Sequence, residues 1–263
     1  MKLLTVNVHA WLEENQLEKI DILAKRIAEE SYDVVALQEV NQLISSKIVM
    51  KNIKADNYGL LLLEKVNKYS DEQYYFYWSN SHIGFDKYDE GISIITKHKV
   101  KDIDEFYCTN STTINSIESR KIIKATIEYQ NRPIEFYSCH MNLPNSKNED
   151  FYENLDNIIN RTINTNLKIF MGDFNTDAIN NKKDYEKIIN KGLFDTYSLA
   201  KQKDSGITVY KNISGWEECE KQKRLDYIFT NQNIEVEYSN VLFNGKNLPI
   251  ISDHNGLEVK INI

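Results

Sequence analysis

Apolar positions recur along this chain with two periods, and the changes between them mark out the elements. Residues 2–8 (KLLTVNV) form a short Leu- and Val-rich run that predicts a strand. Over 13–30, Leu17, Ile20, Ala24, Ile27 and Ala28 return at helical spacing with Glu and Lys between them, an amphipathic helix. Residues 33–38 (DVVALQ) are nearly all apolar, as suits a strand buried on both faces. A second helix is read over 57–67. The pattern then shortens. Residues 74–79, 91–96, 99–107, 121–129 and 133–140 are runs of aromatic and β-branched residues that read as strands. Helical spacing returns at 149–163 and at 182–191, the latter ending at Gly192, with a strand (LKIFM, 167–171) between them. The last strands fall at 224–229, 234–243 and 257–263.

Strands without intervening helices are too many for a purely parallel sheet, and the helices are too many for a plain sandwich. An α/β (α+β) fold with two mixed sheets face to face and helices outside accommodates both. Only three Pro and nine Gly occur, with no linker rich in either, so one domain over 1–263 is expected.

Charge narrows the partners. Lys and Arg number 32 against 39 Asp and Glu, a net charge of -7. Long nucleic acid is usually held by a basic field, so the balance favours a small substrate. Cys108, Cys139 and Cys219 are odd in number and widely spaced, and read as reduced thiols. The N-terminus carries one Lys and a short apolar stretch without a small-residue cleavage site, and no run is long enough to span a bilayer. A cytoplasmic protein without membrane contact is expected. The sequons at Asn110, Asn160 and Asn212 then carry no meaning.

The candidate chemistry sits at strand ends. Gly172-Asp173-Phe174-Asn175 closes LKIFM. Alternation would send Asp173 and Asn175 to one side and Phe174 into the core, while Gly172 admits a close backbone approach. The same residues also suit a plain turn. Ser252-Asp253-His254 precedes the last strand, and both acid and imidazole can serve one site if they lie on a turn. Glu39 ends a buried strand, where a carboxylate needs a partner or a metal. Asn7 and His140 also end strands, and Asp226 lies inside an apolar one, as a carboxylate orienting a His would. Each has a structural reading of its own. Together, carboxylates, amides and imidazoles on one rim are the parts of metal-assisted phosphoryl chemistry. A Walker A loop, a GxGxxG and a GxSxG are all absent from the sequence.

The order Asn7, LQE at 37–39, SCH at 138–140, GDFN at 172–175, RLDYIF at 224–229 and SDH at 252–254 resembles the endonuclease/exonuclease/phosphatase superfamily over nearly the whole chain. The resemblance implies a four-layer α/β/β/α sandwich and a Mg2+ ion, with Mn2+ an alternative. It implies that Glu39 holds the ion with Asn7 and Asp253 beside it. Asp173 and Asn175 would position or activate water, and His254, oriented by Asp226, would act as base or phosphate ligand. His140 would stabilise the transition state. The segments 82–95 and 205–229 further resemble bacterial maltose 6'-phosphate phosphatases, which implies a sugar-phosphate pocket shaped by His82, Asp86, Lys87, Asp89, Glu90 and Trp216. Lys87 or Arg120 would meet the second charge of a monoester. The Met-Asn-Leu-Pro after His140 departs from the Gly- and Trp-bearing loop of that group. The leading expectation is a monomeric phosphatase acting on a small phosphorylated sugar. A nuclease of abasic-site type is the alternative, a sphingomyelinase-like phosphodiesterase ranks below it, and a non-catalytic scaffold lowest.

Overall fold

A computed structural model describes residues 1–217 and 220–263; the expectation for Cys219 lies outside the described residues. In chain order the elements are β1 (Lys2–Asn7), α1 (Gln16–Glu30), β2 (Val34–Gln38), β3 (Gln42–Leu43), β4 (Ile48–Met50), β5 (Ile53–Lys54), α2 (Tyr58–Tyr69), β6 (Tyr75–Gly84), β7 (Tyr88–Thr96), β8 (Val100–Tyr107), β9 (Lys121–Tyr129) and β10 (Arg132–His140). They continue with α3 (Phe151–Ile159), β11 (Leu167–Asp173), α4 (Lys182–Ile189), β12 (Phe194–Asp195), α5 (Thr196–Leu199), β13 (Gln202–Lys203), β14 (Asp226–Thr230), β15 (Glu235–Leu242) and β16 (Gly256–Asn262).

Two mixed sheets carry the fold. One runs β13-β15-β16-β1-β2-β7-β3, with β6 also paired to β7; the other runs β12-β14-β11-β10-β9-β8. Within them β1 pairs with β2, and β10 with β11, in parallel. Alternation along the strands then builds three apolar layers. Leu3, Val34, Ala36 and Ile94 from the first sheet meet Ile123, Phe136, Ile169, Met171 and Ile228 from the second. On the first sheet's outer face, Leu4, Val6, Val35 and Leu37 pack on Ile20, Leu23, Ala24 and Ile27 of α1 and Leu62 and Val66 of α2. On the second sheet's outer face, Tyr137, Phe170, Tyr227 and Phe229 pack on Phe151, Leu155 and Ile158 of α3 and Ile188 of α4. The result is the four-layer α/β/β/α sandwich that the resemblance implied, with the two mixed sheets face to face that the pattern predicted.

Local chemistry sets the boundaries. Asp150 caps α3 by accepting from the backbone N–H of Tyr152 and Glu153, and the helix stops at Ile159, four residues short of the expected end. Asn57 caps α2 by accepting from Leu60 N–H. β11 runs two residues past LKIFM because it is paired on both sides: His140 lies opposite Asp173 on one side and Asp226 opposite Asp173 on the other. Gly172 has φ of +148°, and a Cβ there would fall 1.9 Å from the Cys139 carbonyl oxygen, so what the glycine admits is the neighbouring strand. Cys108 and Cys139 are buried free thiols.

The same alternation makes the site. On β1 the inward stripe is Leu3, Thr5, Asn7; on β10 it is Ile134, Phe136, Ser138, His140; on β11 it is Ile169, Met171, Asp173; on β14 it is Ile228 and Asp226. The layer between the sheets is therefore apolar along most of its length and turns polar at one end.

Candidate active site

That polar end opens into a cleft of about 490 Å3 whose floor is Glu39, His140, Asp173, Asn175, Asp253 and His254. A second depression of the same volume lies at the other end, around Tyr129, Arg132 and Thr165, and among the described residues that line it none is Asp, Glu or His. The chemistry belongs to the first.

Glu39 leaves the alternation. Its φ of +53° turns it out of the helix-facing stripe of Val35 and Leu37, and its Oε1 accepts from Asn7 Nδ2 at 2.8 Å. Asn7 Nδ2 also reaches Asp173 Oδ2 at 3.3 Å, while Asn7 Oδ1 accepts from His9 N–H at 3.2 Å. Asn7 thus bridges Glu39 and Asp173 as a donor. Ser252 Oγ donates to the Asn7 carbonyl at 2.7 Å and ties the Ser-Asp-His bend to β1, so Asp253 and His254 both face the cleft.

His254 Nδ1 lies 2.9 Å from Asp226 Oδ2, and its Nε2 lies 3.7 Å from Asp173 Oδ2. Burial would favour neutral imidazole, but the two carboxylates outweigh it and hold His254 well above the usual range. Asp173 is pushed up to about 6 by burial and by Asp226, against the pull of His254 and the donors Asn175 N–H and Asn7. His140 Nε2 lies 3.9 Å from Asp173 Oδ2, and burial together with Arg120, His82 and His254 holds its ring well below the ordinary range.

Asn175 reaches the cleft by a turn rather than by strand alternation. The strand ends at Asp173, Asn175 takes φ of +47°, its N–H donates to Asp173 Oδ1 at 2.8 Å and its Nδ2 to the Met141 carbonyl at 2.9 Å. Trp216 Nε1 donates to Asn175 Oδ1 at 3.2 Å. The indole therefore holds a floor residue, and the cleft wall beside it is Ile213, Ser214 and Gly215.

Of the expected substrate residues, His82 and Arg120 line the cleft. Lys87 does not; its ammonium lies over the Tyr88 ring, 4.9 Å from the centroid. Asp89 pairs with Lys54 at 2.6 Å and fastens the hairpin to β5, and Asp86 is exposed at the hairpin tip. Glu90 lines the cleft with its Oε1 3.2 Å from His82 Nε2. Two residues escaped the sequence reading. His9 lies 2.8 Å from Glu13 and 3.7 Å from Asp253 through Nδ1, and its signal was the i, i+2 spacing from Asn7. Asn142, two residues past His140, carries the same signal.

The donor set fits a divalent ion. Glu39 and Asp253 offer hard oxygens, and burial, Glu90 and Asp253 push the Glu39 carboxyl up to about 7, the mark of crowded negative charge that a cation would relieve.

A polar rim on a four-layer sandwich, with paired carboxylates and imidazoles, holds the groups that phosphoester hydrolysis uses. The comparisons carry this to a family. The Endonuclease/Exonuclease/phosphatase family matches residues 11–254, and the chain belongs to it. An endonuclease/exonuclease/phosphatase family protein from Leptotrichia buccalis C-1013-b is 58% identical with a TM-score of 0.96, each chain covered over 100%. A mannosyl-6-phosphatase from Bacteroides thetaiotaomicron VPI-5482 shares the fold at 15% identity and TM-score 0.74, over 100% of both chains. So does D. rerio TDP2 complexed with a single-strand DNA product, at 16% identity and TM-score 0.69, over 100% of this chain and 99% of that one. No curated protein sequence matches the chain. Family members are hydrolases of phosphoester bonds and are generally dependent on a divalent metal.

Proposed function

We propose that this chain is a Mg2+-dependent phosphatase that removes phosphate from a small phosphorylated sugar. The observation that carries this is the cleft's wall. Phe85, Ile117, Leu143 and Ile213, from four separate segments, ring the floor, and a volume of about 490 Å3 suits a small molecule. The Lys and Arg of the lining are Arg120 and Lys147, against Glu39, Glu90, Glu118, Asp173 and Asp253. Such a lining offers no basic track for a nucleic-acid backbone.

A bound Mg2+ would be held by Glu39 and Asp253 and would polarise a phosphoryl oxygen. Asn7 spaces Glu39 from Asp173. Asp173, basic for a carboxylate and still ionised at neutral pH, takes the proton from the attacking water. His254, kept charged by Asp226, donates from Nε2 to a phosphoryl oxygen, and the Asn175 amide orients Asp173. Arg120 meets the second negative charge that a monoester carries and a diester lacks.

The test is kcat/KM with Mg2+ on hexose phosphates, nucleoside monophosphates and an abasic-site DNA duplex. Sugar phosphates should lead by at least about tenfold, a gap of about 1.4 kcal/mol in transition-state binding. Faster cleavage of the duplex would reverse the reading.

A further inference from the structure

The two imidazoles of the floor are held from opposite sides. His254 Nδ1 faces a carboxylate, Asp226 Oδ2, at 2.9 Å. His140 Nδ1 faces a guanidinium, Arg120 Nη1, at 3.2 Å. A guanidinium only donates and stays protonated, so the lone pair in that contact must come from His140 Nδ1. The ring proton then sits on Nε2, the nitrogen 3.9 Å from Asp173 Oδ2. Glu90, a buried carboxylate lining the same cleft, is engaged by His82 instead and does not take this place.

Arg120 is itself fixed. Its Nε donates to Asn142 Oδ1 at 2.8 Å, and Asn142 Nδ2 donates to the Glu118 carbonyl at 2.8 Å. Asn142 is 4% exposed and lies in the Met-Asn-Leu-Pro segment that follows His140. Its side chain aims the guanidinium at His140. Among the described residues no carboxylate lies within ion-pair distance of Arg120, so its charge is spent on the imidazole and the cleft.

We propose that Arg120, aimed by Asn142, also acts as a positioning residue, beyond its contact with the substrate's charge: it locks His140 as a neutral Nε2–H donor toward a non-bridging phosphoryl oxygen. A charged His140 would place two cations face to face, and an Nδ1–H tautomer would place two donors face to face. His140 therefore serves as a hydrogen-bond donor, and the base must be another group. The catalytic part of this rests on the phosphatase reading; the tautomer does not.

The test is a long-range 1H–15N correlation spectrum of the 15N-histidine-labelled protein, with His140 assigned by loss of its signals in His140→Gln. The expected pattern is an unprotonated Nδ1 and a protonated Nε2 in the resting protein. In Arg120→Met the two tautomers should mix and kcat should fall about 100-fold, on the scale of groups that orient a catalytic neighbour. Arg120→Lys, which keeps a cationic donor, should restore the Nε2–H form and part of kcat. Asn142→Ala should lie between. A protonated Nδ1 in the native protein would overturn the proposal, and so would an unchanged tautomer or kcat in a folded Arg120→Met. Failure of every sugar phosphate with the tautomer as expected would refute the substrate reading alone.

Discussion

Asp226→Asn removes the carboxylate that orients His254 and changes almost nothing else. Asp226 is fully buried, and of its two oxygens Oδ2 accepts from His254 while Oδ1 has no hydrogen-bond partner among the described residues. The substitution keeps the shape and deletes one charge. Two unit charges about 4 Å apart attract by about 4 kcal/mol at an effective dielectric of about 20. Roughly that much of the preference for His254 as an oriented imidazolium is lost, which caps the rate effect near 1,000-fold. Part returns through the amide's own hydrogen bond, so kcat should fall about 100- to 1,000-fold with KM changed much less. Stability should fall by up to about 3–5 kcal/mol, the cost of leaving one partner of a buried pair uncompensated, and by less to the extent that His254 gives up its proton. The assay is phosphate release under Mg2+ saturation, with a thermal melt as the control for folding. An Asn variant that melts like the native protein and retains more than a third of kcat would refute the assignment of Asp226 as the orienting group.

Three further outcomes are expected. Gly172→Ala should lose about 3 kcal/mol or more, since the added Cβ meets the Cys139 carbonyl and φ is +148°; a melting temperature within a few degrees of native would contradict it. The acid limb of kcat/KM should report Asp173, whose carboxyl is pushed up to about 6: activity rises with pH as the base loses its proton, a bound cation moves the limb lower, and Asp173→Asn should abolish it. Glu39, pushed up to about 7, must be deprotonated to hold a cation, so Mg2+ binding at pH 6 should release a proton and bind more weakly than at pH 8.5. Calorimetry in two buffers of different ionisation heat reads this directly; equal proton release at both pH values would exclude Glu39 as the ligand.

The long elements and most of the floor were legible because both follow from alternation. A strand that buries Ile134 and Phe136 must bring His140 to the same face, and one that buries Ile169 and Met171 must bring Asp173. What alternation does not encode went unread. β3, β4, β5, β12 and β13 are two or three residues each, too short for a period. Glu39 and Asn175 were named from their motifs, but the left-handed backbone that brings them to the floor, at φ of +53° and +47°, is announced by no run of residue types. Lys87 and Trp216 suited a sugar pocket by chemistry, yet which way a loop side chain turns depends on the contacts it finds once folded: the adjacent Tyr88 ring holds the first and Asn175, 41 residues away, the second. The Arg120–His140 contact spans 20 residues and two antiparallel strands, and only their register brings it about.

The central claim is that Asn7, Glu39, Asp173, Asp253 and His254 hold one metal-dependent phosphoesterase centre. Phosphate release from a hexose 6-phosphate, measured with Mg2+, with chelator, and with Glu39→Ala at saturating Mg2+, tests it most directly. The account predicts turnover in the first case and, in the other two, a loss of about 1,000-fold or more, as removal of a charge-stabilising group demands. Equal turnover in chelator, or in a folded Glu39→Ala protein, would contradict it.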